Sequence, residues 1–295
     1  MLADDVRVRA STQPVADRGL AGPASSAVSG ASAVSGAPAE RRWTAGMRRS
    51  VTLFQAFRKE QTDPDLFYGM LAADSAAQVA HYAPLAGRLV LDVGGGPGYF
   101  ADSFRRAGAR YLAIDSDVGE MSLHGRAPER GTSILGSGLS LPIRDGAVDV
   151  CYSSNVLEHV PDPWRMADEM VRVTRPGGYV FLSFTSWLSP WGGHETSPWH
   201  YLGGHYAARR YARHHGKQPK NVYGESLFAV SVAAGLEWAR CHPTADVVDA
   251  LPRYHPRWAK PVIRVPGLRE IITWNLLLVL RRTPRLTAAP WTPRG

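Results

Sequence analysis

The sequence predicts an α/β fold in which strands and helices alternate around a parallel sheet. Short runs rich in β-branched residues recur along the chain, and amphipathic stretches separate them. The predicted strands are residues 88–93, 111–114, 148–152 and 179–184, and the predicted helices between them are residues 99–107 and 163–174. A strand followed by a helix and a second strand favours parallel pairing. A chain of 295 residues that is 44% hydrophobic can bury one substantial core of this kind.

The folded domain is predicted to span residues 43–295, after a tail of residues 1–42. The tail has no aromatic residue, and residues 20–39 use only Gly, Ala, Ser, Pro, Val and Leu, so we expect it to be disordered. Residues 50–57 and 63–81 are predicted helices, and the second starts with Asp63 as N-cap and Pro64 in its first turn. The last residues, from 283 on, are expected to be loose.

The alternation stops after strand 179–184. Residues 185–222 are rich in Trp, His, Gly and Pro, and we expect them to form an insertion that binds the substrate. Beyond it, the predicted elements are a helix at 223–234, a strand at 236–242, an irregular basic stretch at 243–267 and a buried strand at 272–280.

A glycine-rich turn follows the first strand of the sheet. Gly94, Gly96 and Gly98 form a GxGxG pattern, and glycine allows both positive φ and close approach of a ligand. A dinucleotide-binding GxGxxG would need glycine where Tyr99 stands, so NAD is disfavoured. The next strand ends in Asp115, a carboxylate suited to accept both hydroxyls of a ribose. The pattern therefore indicates a nucleoside ligand.

Taken together with four later segments, residues 89–184 resemble the class I S-adenosylmethionine-dependent methyltransferases of the small-molecule type. The matching segments are D-V-G-G-G-P-G at 92–98, G-S-G-L-S-L-P-I at 136–143, V-D-V-C at 148–151, N-V-L-E-H-V at 155–160 and R-P-G-G at 175–178. The resemblance implies a Rossmann-like fold: a mostly parallel seven-stranded sheet with helices on both faces and an insertion after strand five.

The resemblance also implies S-adenosyl-L-methionine as cofactor. The residues expected to bind it are Asp92, Gly94, Gly96, Gly98, Asp115, Ser137, Gly138, Ser153 and Asn155. One position departs from the family pattern, because Ser137 stands where the family has an acid that meets the adenine amino group. A serine hydroxyl can accept one hydrogen bond but carries no charge, so adenine recognition is expected to be weaker or differently arranged.

Three histidines are candidates for the chemistry. His159 follows the fourth strand, and an imidazole can accept a proton near neutral pH, so it is the first candidate for a general base. The alternative is that His159 and its neighbour Glu158 cap a helix or orient the loop. His194 and His200 lie in the insertion among aromatic residues, where they either hold an acceptor or face solvent. No ligand spacing among the histidines is typical of a metal site, and none is predicted.

The net charge of +8 lies partly in two segments that lack acids. The basic residues are Arg209, Arg210, Arg213, Lys217 and Lys220 in one segment, and Arg253, Arg257, Lys260, Arg264 and Arg269 in the other. They form either a solvated face or a basic rim for an anionic acceptor or phospholipid headgroups. Nucleic acid is the least supported partner, because no RNA-binding module accompanies the fold.

The leading hypothesis is therefore an enzyme that methylates a small-molecule or lipid-like acceptor, on oxygen or carbon. RNA methylation and a non-catalytic scaffold that keeps the cofactor site are the alternatives. The sequence has neither a signal-peptide core nor an apolar run of about 20 residues, so we expect a cytoplasmic protein that can contact the membrane surface.

Overall fold

The computed structural model describes residues 43–60, 62–122 and 131–284. The predicted tail of residues 1–42 and the C-terminal residues 285–295 lie outside the described residues. Among the described residues, no helix is long and apolar enough to cross a membrane.

A seven-stranded sheet forms the centre of the described part of the chain. Its strands are β1 (Leu89–Val93), β2 (Arg110–Asp115), β3 (Ser133–Leu135), β4 (Val148–Ser154), β5 (Thr174–Thr185), β6 (Ala245–Pro252) and β7 (Asn275–Arg282). The strand order is β3-β2-β1-β4-β5-β7-β6. Strands β1 to β5 pair in parallel, whereas β7 runs antiparallel to both β5 and β6. The predicted fold class is thus confirmed.

Eight α-helices are described around the sheet. They are α1 (Met47–Phe57), α2 (Pro64–Tyr82), α3 (Ala101–Arg106), α4 (Val118–Met121), α5 (Pro163–Val173), α6 (Gly204–His215), α7 (Val232–Cys241) and α8 (Leu268–Ile272). The predicted start of α2 is confirmed, since the Asp63 side chain accepts a hydrogen bond from the Leu66 N–H and Pro64 opens the helix. Asp162 and Pro163 start α5 in the same way.

The central strands β1 and β4 are buried on both faces, as crossover helices require. Alternating residues of β4 show this, because Cys151 belongs to the apolar cluster that includes Met170 of α5. Val150 belongs to the opposite cluster, together with Val79 of α2 and Phe104 of α3. Every strand in the centre of the sheet is therefore held from two sides, which fixes where its carboxyl end lies.

Two predicted elements after the insertion are wrong. The helix expected at 223–234 and the strand expected at 236–242 are replaced by the single helix α7, whose N-cap Ser231 accepts a hydrogen bond from the Ala234 N–H. Its buried residues Val232, Gly235 and Ala239 recur at helical spacing. The strand lies later, at β6, within the stretch expected to be irregular. By contrast, the buried strand predicted at 272–280 is confirmed as β7, shifted to Asn275–Arg282.

Candidate functional site

The carboxyl ends of β1, β2 and β4 meet at one edge of the sheet, because these strands are parallel neighbours. Ligands of open parallel α/β sheets bind in the crevice outside this edge. The glycine-rich turn follows β1, Asp115 ends β2, and residues 155–159 follow β4. This edge therefore brings together residues predicted to bind the cofactor and His159, the residue predicted to act as a base.

The turn after β1 depends on its glycines. Gly94, Gly96 and Gly98 have φ values of +79°, +49° and +83°, which residues with a side chain rarely adopt. A Cβ at Gly94 would lie 2.4 Å from a methyl carbon of Val156, so the loop after β4 packs directly on the turn. At Gly98, by contrast, no described atom outside Gly98 and its two chain neighbours lies within 4 Å of a Cβ position. The turn is thus closed against β4 and open on its outer side.

Asp115 is held beside this turn by backbone amides. Its Oδ2 accepts a hydrogen bond from the Gly96 N–H at 3.0 Å, and its Oδ1 accepts one from the Asp117 N–H at 3.0 Å. Each carboxylate oxygen can accept a second hydrogen bond, so both remain able to receive a hydroxyl. A fixed carboxylate next to an open glycine turn fits the ribose and the methionine chain of S-adenosylmethionine.

Asp92 lies behind the turn rather than in the crevice. Its side chain is buried and accepts a hydrogen bond from the Tyr111 hydroxyl at 2.6 Å. Burial raises the pKa of Asp92 to about 7, although the Tyr111 hydroxyl acts in the opposite direction. Its visible role is therefore to hold β1 against β2 beneath the glycine turn.

Ser137 and Gly138 follow β3. Ser137 is exposed, and its hydroxyl accepts a hydrogen bond from the Leu139 N–H at 3.2 Å. Gly138 is needed for packing, since a Cβ there would come within 3.1 Å of the Met166 sulfur. The exposed Ser137 side chain thus lies at the surface, beyond the end of β3.

Ser153 and Asn155 lie at the end of β4 in different surroundings. Ser153 is fully buried, and its hydroxyl donates to the Val93 carbonyl at 2.8 Å, which ties β4 to β1. Asn155 has a positive φ of 55°, and its Oδ1 accepts a hydrogen bond from Asn275 Nδ2 at 2.7 Å. Its Nδ2 lies 3.3 Å from the Tyr254 hydroxyl. Of the two, Asn155 is the one directed toward the loops above the edge.

His159 lies in the 3₁₀ turn Leu157–His159, next to two other titratable side chains. Its Nδ1 is 2.7 Å from the Ser226 carbonyl, which can only accept, so Nδ1 donates and the neutral ring has its lone pair on Nε2. The His194 ring is centred 5.0 Å away. Ligand atoms of Glu158, His159 and His194 all lie within 4.8 Å of one another. The structure thus brings His194 to the candidate base.

His200 has a different environment. It is 1% exposed, its Nε2 donates to the Ser189 carbonyl at 3.1 Å, and its Nδ1 lies 3.3 Å from the Ser197 hydroxyl. Burial lowers the pKa of His200, which keeps the ring neutral. Both ring nitrogens are thus engaged within residues 189–200, and the side chain holds this segment together.

An aromatic cluster lies beside the edge. Trp191 packs edge-on against Phe57 of α1 at 5.1 Å between ring centroids, and against Trp274 at 6.1 Å. Nearby, Tyr68 of α2 stacks on Tyr99, the residue after Gly98, at 4.7 Å. The segment after β5 therefore packs against α1, while α2 covers the end of the glycine turn.

The basic segments are only partly a surface. The first group, on α6 and the residues after it, is exposed, and the Arg210 guanidinium lies 3.9 Å from the Trp199 ring centre. Arg253, however, is fully buried, so its assignment to a basic rim is wrong. Its guanidinium donates to hydroxyls of Ser75, Tyr152, Ser154 and Ser183 at 2.6–2.8 Å. Hydroxyl partners supplied by three elements, α2, β4 and β5, offset the cost of burying the charge.

Sequence reasoning missed three parts of this site. Glu158 was weighed only as an orienting residue, yet it is 1% exposed and its Oε1 accepts a hydrogen bond from the Thr185 N–H at 3.0 Å. The aromatic residues of α1 and α2 carried no motif. Tyr254 and Asn275, which reach Asn155, come from stretches assigned to an irregular loop and a buried strand.

Comparison with known proteins identifies the family. A family described as a methyltransferase domain matches residues 91–182. An uncharacterized methyltransferase of Mycolicibacterium gilvum (strain PYR-GCK) is 54% identical over 249 residues, which are 81% of this chain and 96% of that protein. One from Mycobacterium sp. (strain KMS) is 56% identical over 243 residues, covering 80% and 96%.

Among solved structures, an S-adenosylmethionine dependent methyltransferase from Mesorhizobium loti matches with a TM-score of 0.49 and 22% identity. The match covers 73% of this chain and 98% of that chain. The mycobacterial relatives decide the assignment, because more than half of the aligned residues are identical over nearly their whole length. The chain therefore belongs to the class I methyltransferases, and its cofactor is S-adenosyl-L-methionine.

Proposed function

We propose that the enzyme methylates an oxygen or carbon atom of a small-molecule or lipid-like acceptor. The observation that carries the proposal is the aromatic cluster beside the sheet edge, in which Trp191, Phe57 and Trp274 come from three different parts of the chain. Flat apolar side chains with few polar groups are typical of pockets that hold organic molecules. The acceptor would lie between this cluster and the glycine turn.

On the cofactor side, Asp115 would accept hydrogen bonds from the ribose hydroxyls, and Gly96 and Gly98 would leave room for the methionine chain. When bound, S-adenosylmethionine supplies a methyl group that is already activated on a sulfonium. The residues of this chain then need only align the acceptor and remove its proton where it has one.

His159 is the residue proposed to remove that proton from the acceptor. Its Nδ1–H is fixed on the Ser226 carbonyl, so the Nε2 lone pair is available to an acceptor hydroxyl. The alternative is that His159 and Glu158 only orient the loop after β4. Glu158 supports part of this alternative, since its backbone carbonyl accepts from the Phe228 N–H at 2.8 Å.

The test is transfer of a labelled methyl group from S-adenosylmethionine into fractions of a mycobacterial cell extract, with the product identified by mass spectrometry. His159→Ala should slow the transfer by roughly 100-fold if His159 is the base, with cofactor affinity unchanged. His214→Ala is the matched control, because His214 is exposed on α6. Label found only in RNA, or in no product at all, would refute the proposal.

A lipid-like acceptor is supported by the segment between β6 and β7. Here Trp258 is 72% exposed, and the apolar side chains of Val265, Leu268 and Ile271 are each nearly half exposed. Arg257 and Arg264 are exposed in the same stretch. Exposed aromatic and aliphatic groups mixed with basic residues favour contact with an anionic membrane surface. Further along the chain, this segment continues into Trp274, a member of the aromatic cluster.

Sedimentation with lipid vesicles tests this surface. The protein should bind vesicles containing phosphatidylserine more strongly than vesicles of phosphatidylcholine alone, and added salt should weaken the binding. Trp258→Ala should reduce the bound fraction, whereas Trp199→Ala, which changes an exposed tryptophan outside the segment, should not. Equal binding to both vesicle types would rule out an anionic membrane as the partner.

A further inference from the structure

Two buried polar atoms without hydrogen-bond partners lie on neighbouring side chains above the end of β4. Glu158 is 1% exposed, and its Oε2 has no hydrogen-bond partner among the described residues. The Nε2 of His194 is also buried, and within the same described ranges it too has no partner. Buried polar atoms normally have hydrogen-bond partners. Two buried polar atoms without partners in one cluster therefore point to an ion or ligand that binds between them. His159, whose Nε2 lone pair is free, completes the group.

We propose that Glu158, His159 and His194 bind one divalent transition-metal ion, with Zn²⁺ as the representative. One carboxylate and two imidazoles form a set of ligands that favours transition-metal ions such as Zn²⁺ over Mg²⁺ or Ca²⁺. The ligand atoms lie within 4.8 Å of one another, whereas tetrahedral zinc with bonds of about 2.0–2.1 Å places them about 3.4 Å apart. Small side-chain rotations toward the common centre are therefore enough to close the site.

The surroundings hold two of the ligands in place. The Nδ1–H of His159 donates to the Ser226 carbonyl, the outer hydrogen bond typical of metal-bound histidines. The other carboxylate oxygen of Glu158 accepts from the Thr185 N–H at 3.0 Å, so Oε2 is the oxygen left to coordinate. His194 has a positive φ of 48°, an uncommon backbone conformation that brings its ring beside His159. The adjacent Glu195 does not compete, because Asn221 Nδ2 donates to its carboxylate at 2.9 Å.

This site goes beyond methyl transfer, since binding of an ion requires neither cofactor nor acceptor. An ion bound there would link the end of β4 to the segment after β5. It would also take the Nε2 lone pair of His159, so the same nitrogen cannot serve as a base while the ion is bound. A bound ion therefore prevents His159 from acting as a base. If His159 is the base, removing the ion with a chelator should raise turnover.

The test is metal binding by the full-length protein after treatment with a chelator. Titration with Zn²⁺ against a competing indicator should give one tight site per chain, and Co²⁺ should give a visible absorption band from the same site. Glu158→Gln and His194→Ala should each weaken Zn²⁺ binding by at least about 100-fold, since even outer-shell changes cost 10- to 100-fold. His214→Ala should leave both affinity and spectrum unchanged, because His214 is exposed on α6.

Near-ultraviolet circular dichroism of each metal-free variant shows whether it is folded. If Glu158→Gln does not fold, the Co²⁺ band and the His194→Ala variant still decide the question, since His194 lies in the short 3₁₀ turn His194–Thr196. A folded wild-type protein that binds no Zn²⁺ tightly would overturn the proposal. So would binding that His214→Ala reduces and His194→Ala leaves intact, because the ion would then occupy surface histidines.

Discussion

Replacing Asp115 with alanine measures how the enzyme holds its cofactor. Asp115 is anchored by the Gly96 and Asp117 amides at 3.0 Å each, and each of its oxygens keeps one acceptor site for a ribose hydroxyl. A hydrogen bond to a charged group contributes about 1.5–3 kcal/mol, and the lower end applies because Asp115 is only half-buried. Two such bonds give about 3 kcal/mol, or about a 150-fold rise in Kd.

The assay is isothermal titration calorimetry with S-adenosylhomocysteine. Asp115→Asn should lose less affinity than Asp115→Ala, because the amide keeps one acceptor oxygen. Asp117→Ala is the control, since its exposed carboxylate caps the Gly119 N–H at 2.6 Å two residues away. An Asp115→Ala protein that is folded and binds within twofold of the wild type would refute the ribose assignment.

Three further changes test the turn, the buried acid and the aromatic cluster. Gly94→Ala should lower the free energy of unfolding by about 1–3 kcal/mol in urea denaturation, because its Cβ would collide with Val156 at 2.4 Å. An unchanged value would show that the loop after β4 moves to accommodate the methyl group. The pKa of Asp92 rises from 3.8 to about 7 on folding, so the folded protein keeps a proton that the unfolded chain loses and wild-type stability falls as pH rises through this window. Asp92→Asn, which stays neutral, should therefore gain about 2–3 kcal/mol on the wild type between pH 5 and pH 8, and an equal difference at both pH values would contradict this. Trp191→Ala should lower Tm and speed hydrogen exchange in α1 while S-adenosylhomocysteine affinity stays within twofold, and a large loss of affinity would place Trp191 at the cofactor instead.

Elements with strong local signals were predicted from the sequence. Asp63 and Pro64 start α2 as expected because a cap and a first-turn proline act within one helical turn. The glycine turn was equally visible, since positive φ at Gly94, Gly96 and Gly98 leaves glycine as the residue of choice. The run at β7 was recognised as a strand because it is buried on both faces.

Elements at the edge of the sheet were not predicted. β6 forms only one pairing, with β7, and its side chains at Val247 and Val248 are both substantially exposed. Its burial does not alternate cleanly, so it lacks the period of two that identifies a strand. The preceding helix α7 was divided between two expected elements for a related reason, because a short helix with Trp238 and Leu236 partly buried resembles a strand.

Contacts between distant segments were beyond any local pattern. The cluster of Glu158, His159 and His194 depends on how residues after β5 pack over the end of β4, and the motif that contains Glu158 gives no sign of His194. The histidines of the insertion show no spacing typical of metal ligands, and one of them, His200, is engaged by the Ser189 carbonyl. Because these residues are far apart in the chain, no local pattern indicated that the buried Glu158 Oε2 and His194 Nε2 lie in the same cluster.

Arg253 shows the same limit. Arginine in a basic stretch suggests a surface, yet this guanidinium is buried, and its hydroxyl partner Ser75 is 178 residues away along the chain. The same guanidinium also donates hydrogen bonds to the hydroxyls of Ser154 and Ser183, near the ends of β4 and β5. If these hydrogen bonds were lost, the buried guanidinium would destabilise the fold strongly. A shift of one strand end relative to the other is therefore unfavourable. Arg253 thereby ties together the strand ends from which His159 and the segment bearing His194 begin.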